Sequence, residues 1–143
     1  MKRFRLRTIA SGKKAGLWVS LGFSSSLTRR DVLHVVSGDQ ATPAGSRSRS
    51  RLYVERFDQL YSCNRGCDLV RVGPKSIEVH LTPKAAHLLS FKSSVLLFEF
   101  DKRPPSRPGR QGGDTQAMEV FRAMADVNRR VEVVSRSARK GDP

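Results

Sequence analysis

Short runs in which apolar and polar residues alternate recur along this chain, and they constrain its fold more than any other feature. They lie at residues 4–10, 17–23, 52–57, 68–72 and 76–81. Successive side chains of a strand point to opposite faces, so each of these runs predicts a short strand with one buried face. Two further apolar runs, at 32–36 and 95–100, also predict strands, and the near-continuous apolar sequence VLLFEF at 95–100 predicts burial on most of both faces. In the clearest run, Ile77, Val79 and Leu81 share one face.

Turn-forming residues separate these runs. SGKK at 11–14 predicts a hairpin, and GPK at 73–75 predicts a tight reversal. SCNRGC at 62–67 predicts another turn, because Asn64 and Gly66 adopt positive φ at little cost. The small and polar residues of ATPAGSRSRS at 41–50 predict a surface loop. Its serine–arginine alternation is also found in RNA-associated tracts, although those usually run longer.

Two helices are predicted in the second half of the chain. Thr82 is a favoured N-cap and Pro83 suits the first helical position, so a short helix follows with Ala85, Leu88 and Leu89 on one side. A second, amphipathic helix is predicted at 116–130, capped by Asp114 or Thr115. Its apolar positions are Ala117, Val120, Phe121, Met124 and Val127.

These elements predict an α+β fold. We expect an antiparallel sheet of about six short strands, with the capped helix and the carboxy-terminal helix packed on one face. The 143 residues fit a single domain at 1–135, in which 52–101 is the best-defined unit. Prolines and glycines make 102–114 a flexible linker. Residues 136–143 are predicted to be a disordered basic tail.

The formal net charge of +14 lies mainly outside the central unit. Residues 1–50 carry ten Lys or Arg against two Asp or Glu, whereas residues 51–101 carry seven against six. A basic surface attracts phosphate backbones, so one candidate function is a nucleic-acid-binding module that uses the basic arms. The alternative is that the basic residues are simply solvated and bind no partner. The amino-terminal candidates are Lys2, Arg3, Arg5, Arg7, Lys13 and Lys14, with Phe4, Trp18 and Phe23 for base stacking.

The amino end also shares its acid-free, Arg- and Ser-rich composition with targeting segments. It lacks a small-x-small cleavage motif, and its alternation favours strands. No apolar run approaches the ~20 residues of a membrane helix. Two cysteines are too few for a secreted disulfide scaffold, which favours a reducing compartment, and we expect a cytoplasmic protein without a membrane partner.

Residues suited to catalysis or metal binding are scattered. Cys63 and Cys67 have a C-x3-C spacing, but a zinc site needs four ligands, and His34, His80 and His87 are not paired at a usual spacing. The two cysteines are therefore expected to be free, or to close a small loop on oxidation. No phosphate loop, nucleophile elbow or HExxH helix occurs. We expect neither enzymatic activity nor a metal or cofactor.

The central sequence resembles a known family. DQLYSCNRGCDLVRVGPKSIEVHLTPKAAHLL, followed by FEFD, is similar to the immunity-protein-ten family of bacterial polymorphic-toxin systems. The matching positions are Asp58, Gln59, Ser62, Cys63, Ile77, Val79, Leu81, Thr82, Pro83, Ala85, Ala86 and residues 98–101. Asn64, Arg65 and Gly66 stand where the family usually has an aromatic residue and glycines.

The resemblance implies a protein that binds a cognate toxin domain and blocks it sterically, without turnover. Many immunity proteins are acidic and bind basic nucleases, so the charge of +14 departs from the family pattern. Exposed loops on a rigid scaffold commonly carry recognition, and Tyr and Arg are frequent anchors. The toxin-binding candidates are Asp58, Gln59, Tyr61, Asn64 and Arg65.

Overall fold

The computed structural model describes residues 1–14, 16–24, 30–37, 48–56, 61–100 and 113–134. The strands of this part are β1 (Lys2–Gly12), β2 (Leu17–Ser24), β3 (Arg30–Ser37), β4 (Leu52–Arg56), β5 (Ser62–Val72), β6 (Ser76–Leu81), β7 (Val95–Glu99) and β8 (Val131–Val133). The helices are α1 (Pro83–Leu88) and α2 (Gly113–Val127). The alternating and apolar runs of the sequence correspond to β1–β7. Most of the predicted loop at 41–50, residues 102–112 of the predicted linker and the predicted tail at 136–143 lie outside the described residues.

Seven strands close into a barrel, in which β1 to β7 follow one another in chain order. Each neighbouring pair is antiparallel, except for β7 and β1. When an odd number of strands alternates in direction around a closed barrel, two parallel strands must meet. The parallel seam, where Lys2 pairs with Leu96 and Arg5 with Glu99, therefore follows from the number of strands.

The predicted open antiparallel sheet of about six strands, with helices on one face, is wrong, because the molecule is a mostly β closed barrel with two short helices. An alternating sequence shows only that one face of a strand is buried. Strands of a helix-covered sheet and strands of a closed barrel both have one buried face, so the pattern does not distinguish them. Closure depends on pairing between β1 and β7, which lie about 90 residues apart, and the local pattern does not contain that pairing.

β5 is one continuous strand of 11 residues, so the predicted turn SCNRGC is wrong. The positive φ that was expected at Asn64 or Gly66 occurs at Arg65, where φ is 61°. Gly66 has a packing role instead, since a Cβ there would stand 2.8 Å from Val54 Cγ2 and 2.9 Å from Ala85 Cβ. The polar and glycine-containing sequence therefore marks a bulge within a strand rather than a chain reversal.

β8 was not predicted from the sequence, and it extends the barrel wall. It pairs in parallel with the second half of β5, from Val70 opposite Val131 to Val72 opposite Val133. On this edge of β5, β4 pairs only with the first half of the strand. β8 pairs with the second half of the same edge, where β4 makes no pairs. This insertion brings the segment between α2 and β8 against the residues that precede β4.

The inward faces of the strands form one hydrophobic core that includes residues from both helices. Phe4, Phe23, Phe91 and Phe98 make an aromatic cluster in it, with ring centroids 4.5–6.3 Å apart. β7 was predicted to be buried on most of both faces, and this is wrong. Its burial alternates, because only the inward residues of a barrel strand are enclosed.

The two helices confirm most of their sequence signals. Thr82 Oγ1 accepts the Ala85 backbone N–H at 3.0 Å, so the predicted N-cap is confirmed. The predicted apolar face of α1 is wrong at Leu88, which is 43% exposed, whereas Ala85, Ala86 and Leu89 are buried.

The second helix begins at Gly113 rather than at 116, so the predicted caps lie inside it. Its predicted core positions Ala117, Val120, Phe121 and Met124 are buried, and Val127 is partly exposed. α2 packs against β1, β2 and β8.

Candidate protein-binding cleft

The bulge in β5 creates an opening on the barrel wall. Leu52 pairs with Cys67 and Val54 with Cys63, so three residues of β5 lie opposite the single Tyr53 of β4. Extra residues on one strand leave part of the ladder unpaired and bend the strand. Asn64 and Arg65 belong to this unpaired stretch, and both side chains are exposed.

A cavity of about 360 Å³ lies beside this bulge, and we call it the β4–β5 cleft. Its walls are Val36, Ser37, Ser50, Arg51, Leu52, Tyr53, Asn64, Arg65 and Asn128. The lining residues come from β3, the residues just before β4, β4 itself, β5 and the segment between α2 and β8. The cleft therefore exists only because strands that are distant in sequence meet at this part of the barrel.

One wall of the cleft is fixed by a buried amide. Asn128 is 1% exposed, and its Nδ2 donates to the Ser50 carbonyl at 3.0 Å, while its Oδ1 accepts the Arg130 backbone N–H at 2.8 Å. The Arg130 guanidinium donates to the carbonyls of Arg49 at 2.6 Å and Asp68 at 3.2 Å. These bonds hold the chain before β4 and the chain before β8 together, so this wall is rigid.

The hydroxyl of Ser37 is an unusual group beside the cleft. Ser37 is 1% exposed, and its Oγ has no hydrogen-bond partner among the described residues. Buried polar groups are nearly always paired, because an unpaired one has lost its bonds to water. Ser37 shares the inward face of β3 with Leu33 and Val35, so its oxygen is almost inaccessible to solvent and lies behind the cleft wall.

Two further lining side chains have partners. Tyr53 donates its hydroxyl to Glu55 Oε1 at 2.6 Å, and burial together with this bond raises the pKa of Tyr53. Arg51 donates from Nε to an Asp68 carboxylate oxygen, and Asp68 also faces Arg130 Nη1 at 3.7 Å. Arg65 has no ion-pair partner among the described residues.

The structure brings together two of the five predicted toxin-binding residues. Asn64 and Arg65 line the cleft. Tyr61 is 43% exposed at the start of β5 but is not part of the cavity wall, and Asp58 and Gln59 lie outside the described residues. The contributions of Ser37 and Asn128 were missed, because nothing in the local sequence around either residue indicates that it lies beside β5.

The predicted nucleic-acid-binding residues lie on and near the outer face of β1. Arg3, Arg5 and Arg7 alternate with buried residues and share this face, with Lys2 beside them and Lys13 and Lys14 at the end of the hairpin. Arg3 pairs with Glu99 at 3.0 Å and Arg7 donates to Ser24 Oγ at 3.2 Å.

The aromatic residues considered for base stacking are mostly enclosed. Phe4 and Phe23 belong to the barrel core, so that prediction is wrong for both. Trp18 is partly exposed on the outer face and packs on the His34 ring, with centroids 5.2 Å apart. It is the one of the three that remains accessible to a base.

A polar cluster lies on the outer face of β2, β3 and β4. Ser20 Oγ lies 2.5 Å from His34 Nδ1, and Glu55 is the cross-strand neighbour of His34. Burial lowers the pKa of His34, and the charge of Glu55 partly offsets this effect. A cavity of about 340 Å³ adjoins the cluster and is lined by Trp18, Ser20 and His34. No hydrogen bond joins His34 to the Glu55 carboxylate among the described residues, so the three groups do not form a relay from serine through histidine to the carboxylate.

Both cysteines are free and buried. Burial raises the pKa of the Cys67 thiol to about 12, so this group is neutral and unreactive at physiological pH. Among the residues that the structure describes, no group of three or more His, Cys, Asp or Glu is placed to hold a metal ion. The β4–β5 cleft is thus the site that combines a cavity with an arginine, Arg65, that has no ion-pair partner among the described residues.

Comparisons with known proteins give no further identification. No family model matches the chain, and no curated protein or solved structure matches it either. Over the described residues, no helix has both the length and the apolar character needed to cross a membrane.

Proposed function

We propose that this chain is a non-catalytic binding protein that neutralises a cognate bacterial toxin by direct contact in the cytoplasm. The proposal draws on the resemblance of residues 52–101 to the immunity-protein-ten family. The observation that carries it is the position of Asn64 and Arg65, because both line the β4–β5 cleft. The sequence independently indicates both as recognition residues.

The physical character of the cleft supports protein binding. Arg and Tyr are enriched among residues that dominate binding energy, and Arg51, Tyr53 and Arg65 all line the cavity. Hydrogen bonds hold Arg51 to Asp68 and Tyr53 to Glu55 before a partner arrives, which lowers the entropy lost on binding. A rigid surface of this kind suits an inhibitor that acts by covering its target.

Co-expression with a neighbouring toxin gene tests this proposal. We expect the chain to relieve the toxicity of a protein encoded immediately upstream, and the purified pair to form a complex. Arg65→Ala should weaken the complex at least ~30-fold, the loss expected for a residue that contributes 2 kcal/mol or more. Arg71→Ala is the matched control, since Arg71 is exposed on the same strand about 20 Å away.

The rescue and binding results together distinguish an incorrect toxin pairing from an incorrect contact surface. If the toxin remains active in the presence of the chain, that toxin is not the partner and the pairing is wrong. If rescue occurs and Arg65→Ala binds as tightly as the unmodified chain, the contact surface lies elsewhere on the barrel. The double result of rescue and a selective loss with Arg65→Ala would support both parts of the proposal.

A second candidate function is nucleic-acid binding through the outer face of β1. The observation that favours it is the row of Arg3, Arg5 and Arg7, spaced about 7 Å apart on one strand face. Affinity for a random duplex should fall steeply between 50 and 200 mM salt if phosphates are bound. Replacing all three arginines with glutamine should reduce the salt slope, and an unchanged slope would exclude this face.

A further inference from the structure

A shallow groove lies on the outer face of β1, β2 and β3, and toxin neutralisation does not use it. Its cavity of about 340 Å³ is lined by residues of all three strands, among them Trp18 and His34, and we call it the β1–β3 groove. None of its lining residues is Asp or Glu, and Ala10 and Gly22 keep its floor low. A Cβ at Gly22 would stand 2.2 Å from Thr8 Oγ1, so a larger residue there would fill the groove.

The indole of Trp18 forms one end of the groove and is already held in place. A Cβ at Gly12 would stand 2.5 Å from Trp18 Cζ2 and 2.6 Å from its Nε1, so the indole lies directly over the glycine backbone. It also packs on the His34 ring, with centroids 5.2 Å apart, and it remains partly exposed. A partly exposed aromatic ring that its neighbours hold in place is a platform on which another flat ring can stack.

Hydrogen-bonding groups lie beside this platform. Ser20 Oγ lies 2.5 Å from His34 Nδ1, and burial lowers the pKa of His34, so the ring is neutral at physiological pH. The contact with Ser20 leaves His34 Nε2 without a hydrogen-bond partner among the described residues. A flat ring that carries donors and acceptors along its edge matches this combination, and a nucleobase has both features.

Two arginines flank the opposite end of the groove. β1 has a bulge between Leu6 and Thr8, so Arg7 is the extra residue and lies next to the lining residue Thr8. Its Nε donates to Ser24 Oγ at 3.2 Å, and Arg30 is the cross-strand partner of Ser24 on β3. Both arginines are exposed, and neither has an ion-pair partner among the described residues. Two uncompensated cations on strands about 10 Å apart suit successive phosphates of a nucleic-acid strand.

We infer that the β1–β3 groove binds single-stranded nucleic acid, with one unpaired base stacked on Trp18 and its two flanking phosphates on Arg7 and Arg30. This inference goes beyond toxin neutralisation, and it rests on the second candidate function only for the charge of the partner. A duplex does not fit the groove, because its base faces are already stacked on one another. Arg3 and Arg5 continue along β1 from Arg7 and extend the path for phosphates.

Intrinsic fluorescence tests the inference directly, because Trp18 is the only tryptophan of the chain. The full chain is titrated with an oligomer of about twelve deoxythymidines, a length within the range of single-strand sites. An abasic oligomer of the same length keeps the phosphates and lacks the bases. A duplex and a glutamate oligomer of equal charge complete the set of probes. We expect saturable quenching with the deoxythymidine oligomer and none with the abasic oligomer.

Trp18→Leu separates stacking from charge. Leucine keeps an apolar side chain over Gly12 and removes the aromatic face. This variant should bind the deoxythymidine oligomer at least ~5-fold more weakly, and its affinity for the abasic oligomer should not change. Both affinities are measured by the anisotropy of a labelled strand, which needs no tryptophan. Equal losses for the two oligomers would contradict the stacking role.

Arg7→Gln combined with Arg30→Gln tests the phosphate end of the groove. Each phosphate of a single strand contributes about 0.7 to the salt slope, so this double variant should lower the slope by about 1.4 and weaken both oligomers alike. Arg71→Gln combined with Lys84→Gln is the matched control, since it removes the same charge from β5 and α1 on the other side of the barrel. An equal effect of the two pairs would show that net charge alone binds the strand, and would reject the groove.

Other results would also overturn the inference. These are unchanged Trp18 fluorescence at saturation, equal affinity for the deoxythymidine and abasic oligomers, or tighter binding of the duplex or the glutamate oligomer. Toxin rescue without binding of the deoxythymidine oligomer would reject the groove and leave the proposed function in place. Binding of that oligomer without toxin rescue would do the reverse.

Discussion

Ser37 carries a buried hydroxyl that should lower the stability of the folded protein. Its hydroxyl is buried without a described partner, and such a group typically costs about 1–3 kcal/mol. Ser37→Ala removes the hydroxyl and keeps the small side chain. We therefore predict that this variant is more stable by about 1 kcal/mol in urea denaturation. A loss of stability would indicate that the hydroxyl has a structural partner.

Asp31 and Arg56 form the principal buried ion pair of the described residues. The Asp31 side chain is fully buried, and its carboxylate lies 2.7 Å from Arg56 Nη2. Arg56 Nη1 also donates to the carbonyls of Leu89 and Ser90 at 2.9 and 3.0 Å. Its guanidinium carbon lies 4.0 Å from the centroid of the Phe91 ring. One side chain thereby joins β3, β4 and the end of α1.

Removing Arg56 should consequently destabilise the whole protein. Arg56→Ala leaves the Asp31 carboxylate buried and without its counter-charge, which costs about 3–5 kcal/mol. The expected result is a large fall in the urea midpoint, measured by circular dichroism. Arg71→Ala removes an exposed ion pair with Glu132 and should barely move the midpoint. Similar midpoints for the two variants would contradict this interpretation of the pair.

Cys67 should impose a pH dependence on stability at alkaline pH. Burial raises its pKa from a usual value of 9.0 to about 12 in the folded protein. The unfolded chain therefore loses its thiol proton first, so this contribution to stability is complete below pH 9 and is lost between pH 9 and 12. The loss approaches about 1.4 kcal/mol for each pH unit in that window. Cys67→Ala should show a shallower decline, and parallel pH curves would contradict the shift.

The strands and helices differ in how far the sequence predicts them. Alternating and apolar runs located β1–β7 because each strand has one face in the core, and the Thr-Pro pair located α1 because its cap is a local bond. The SCNRGC segment was misread because bulges and turns use the same residue types. β8 was missed because three residues after a helix are too few to show a period.

The cap of α1 provides a direct test at one helix. Thr82→Ala removes the oxygen that accepts the Ala85 N–H, and loss of such a cap typically costs about 1 kcal/mol. We predict a lower urea midpoint with an unchanged slope. Thr82→Ser keeps the accepting oxygen and should recover most of the stability. If the alanine variant has the same midpoint as the unmodified chain, the cap does not stabilise the helix.

For the molecule as a whole, closure of the barrel and assembly of the cleft depend on contacts that local sequence does not encode. Asn64 and Arg65 could be predicted because the segment is polar and contains a glycine. Ser37 precedes them by 27 residues and Asn128 follows by more than 60, and only the closed barrel places all four around one cavity. The resemblance to an immunity family suggested a binding role without indicating this geometry.

The amino-terminal strand should be essential for folding, independently of its charge. β1 lies between β2 and β7, so deleting residues 1–12 opens the barrel. The deletion exposes one edge of β2, one edge of β7 and the core residues beside them. We predict that the shortened chain lacks a cooperative thermal transition and binds a hydrophobic dye, because the core loses Phe4, Leu6 and Ile9.

The control for this deletion keeps the strand and removes two of its four positive charges. Arg3→Gln and Arg7→Gln in combination alter only outward-facing side chains, so the protein should still unfold cooperatively. If the deleted chain also unfolds cooperatively, β1 is dispensable and the closed barrel does not describe the stable unit. If the glutamine variant fails to fold, the ion pair of Arg3 with Glu99 at the parallel seam matters more than its exposure suggests. The two variants together separate the role of β1 in barrel closure from its role in the basic surface.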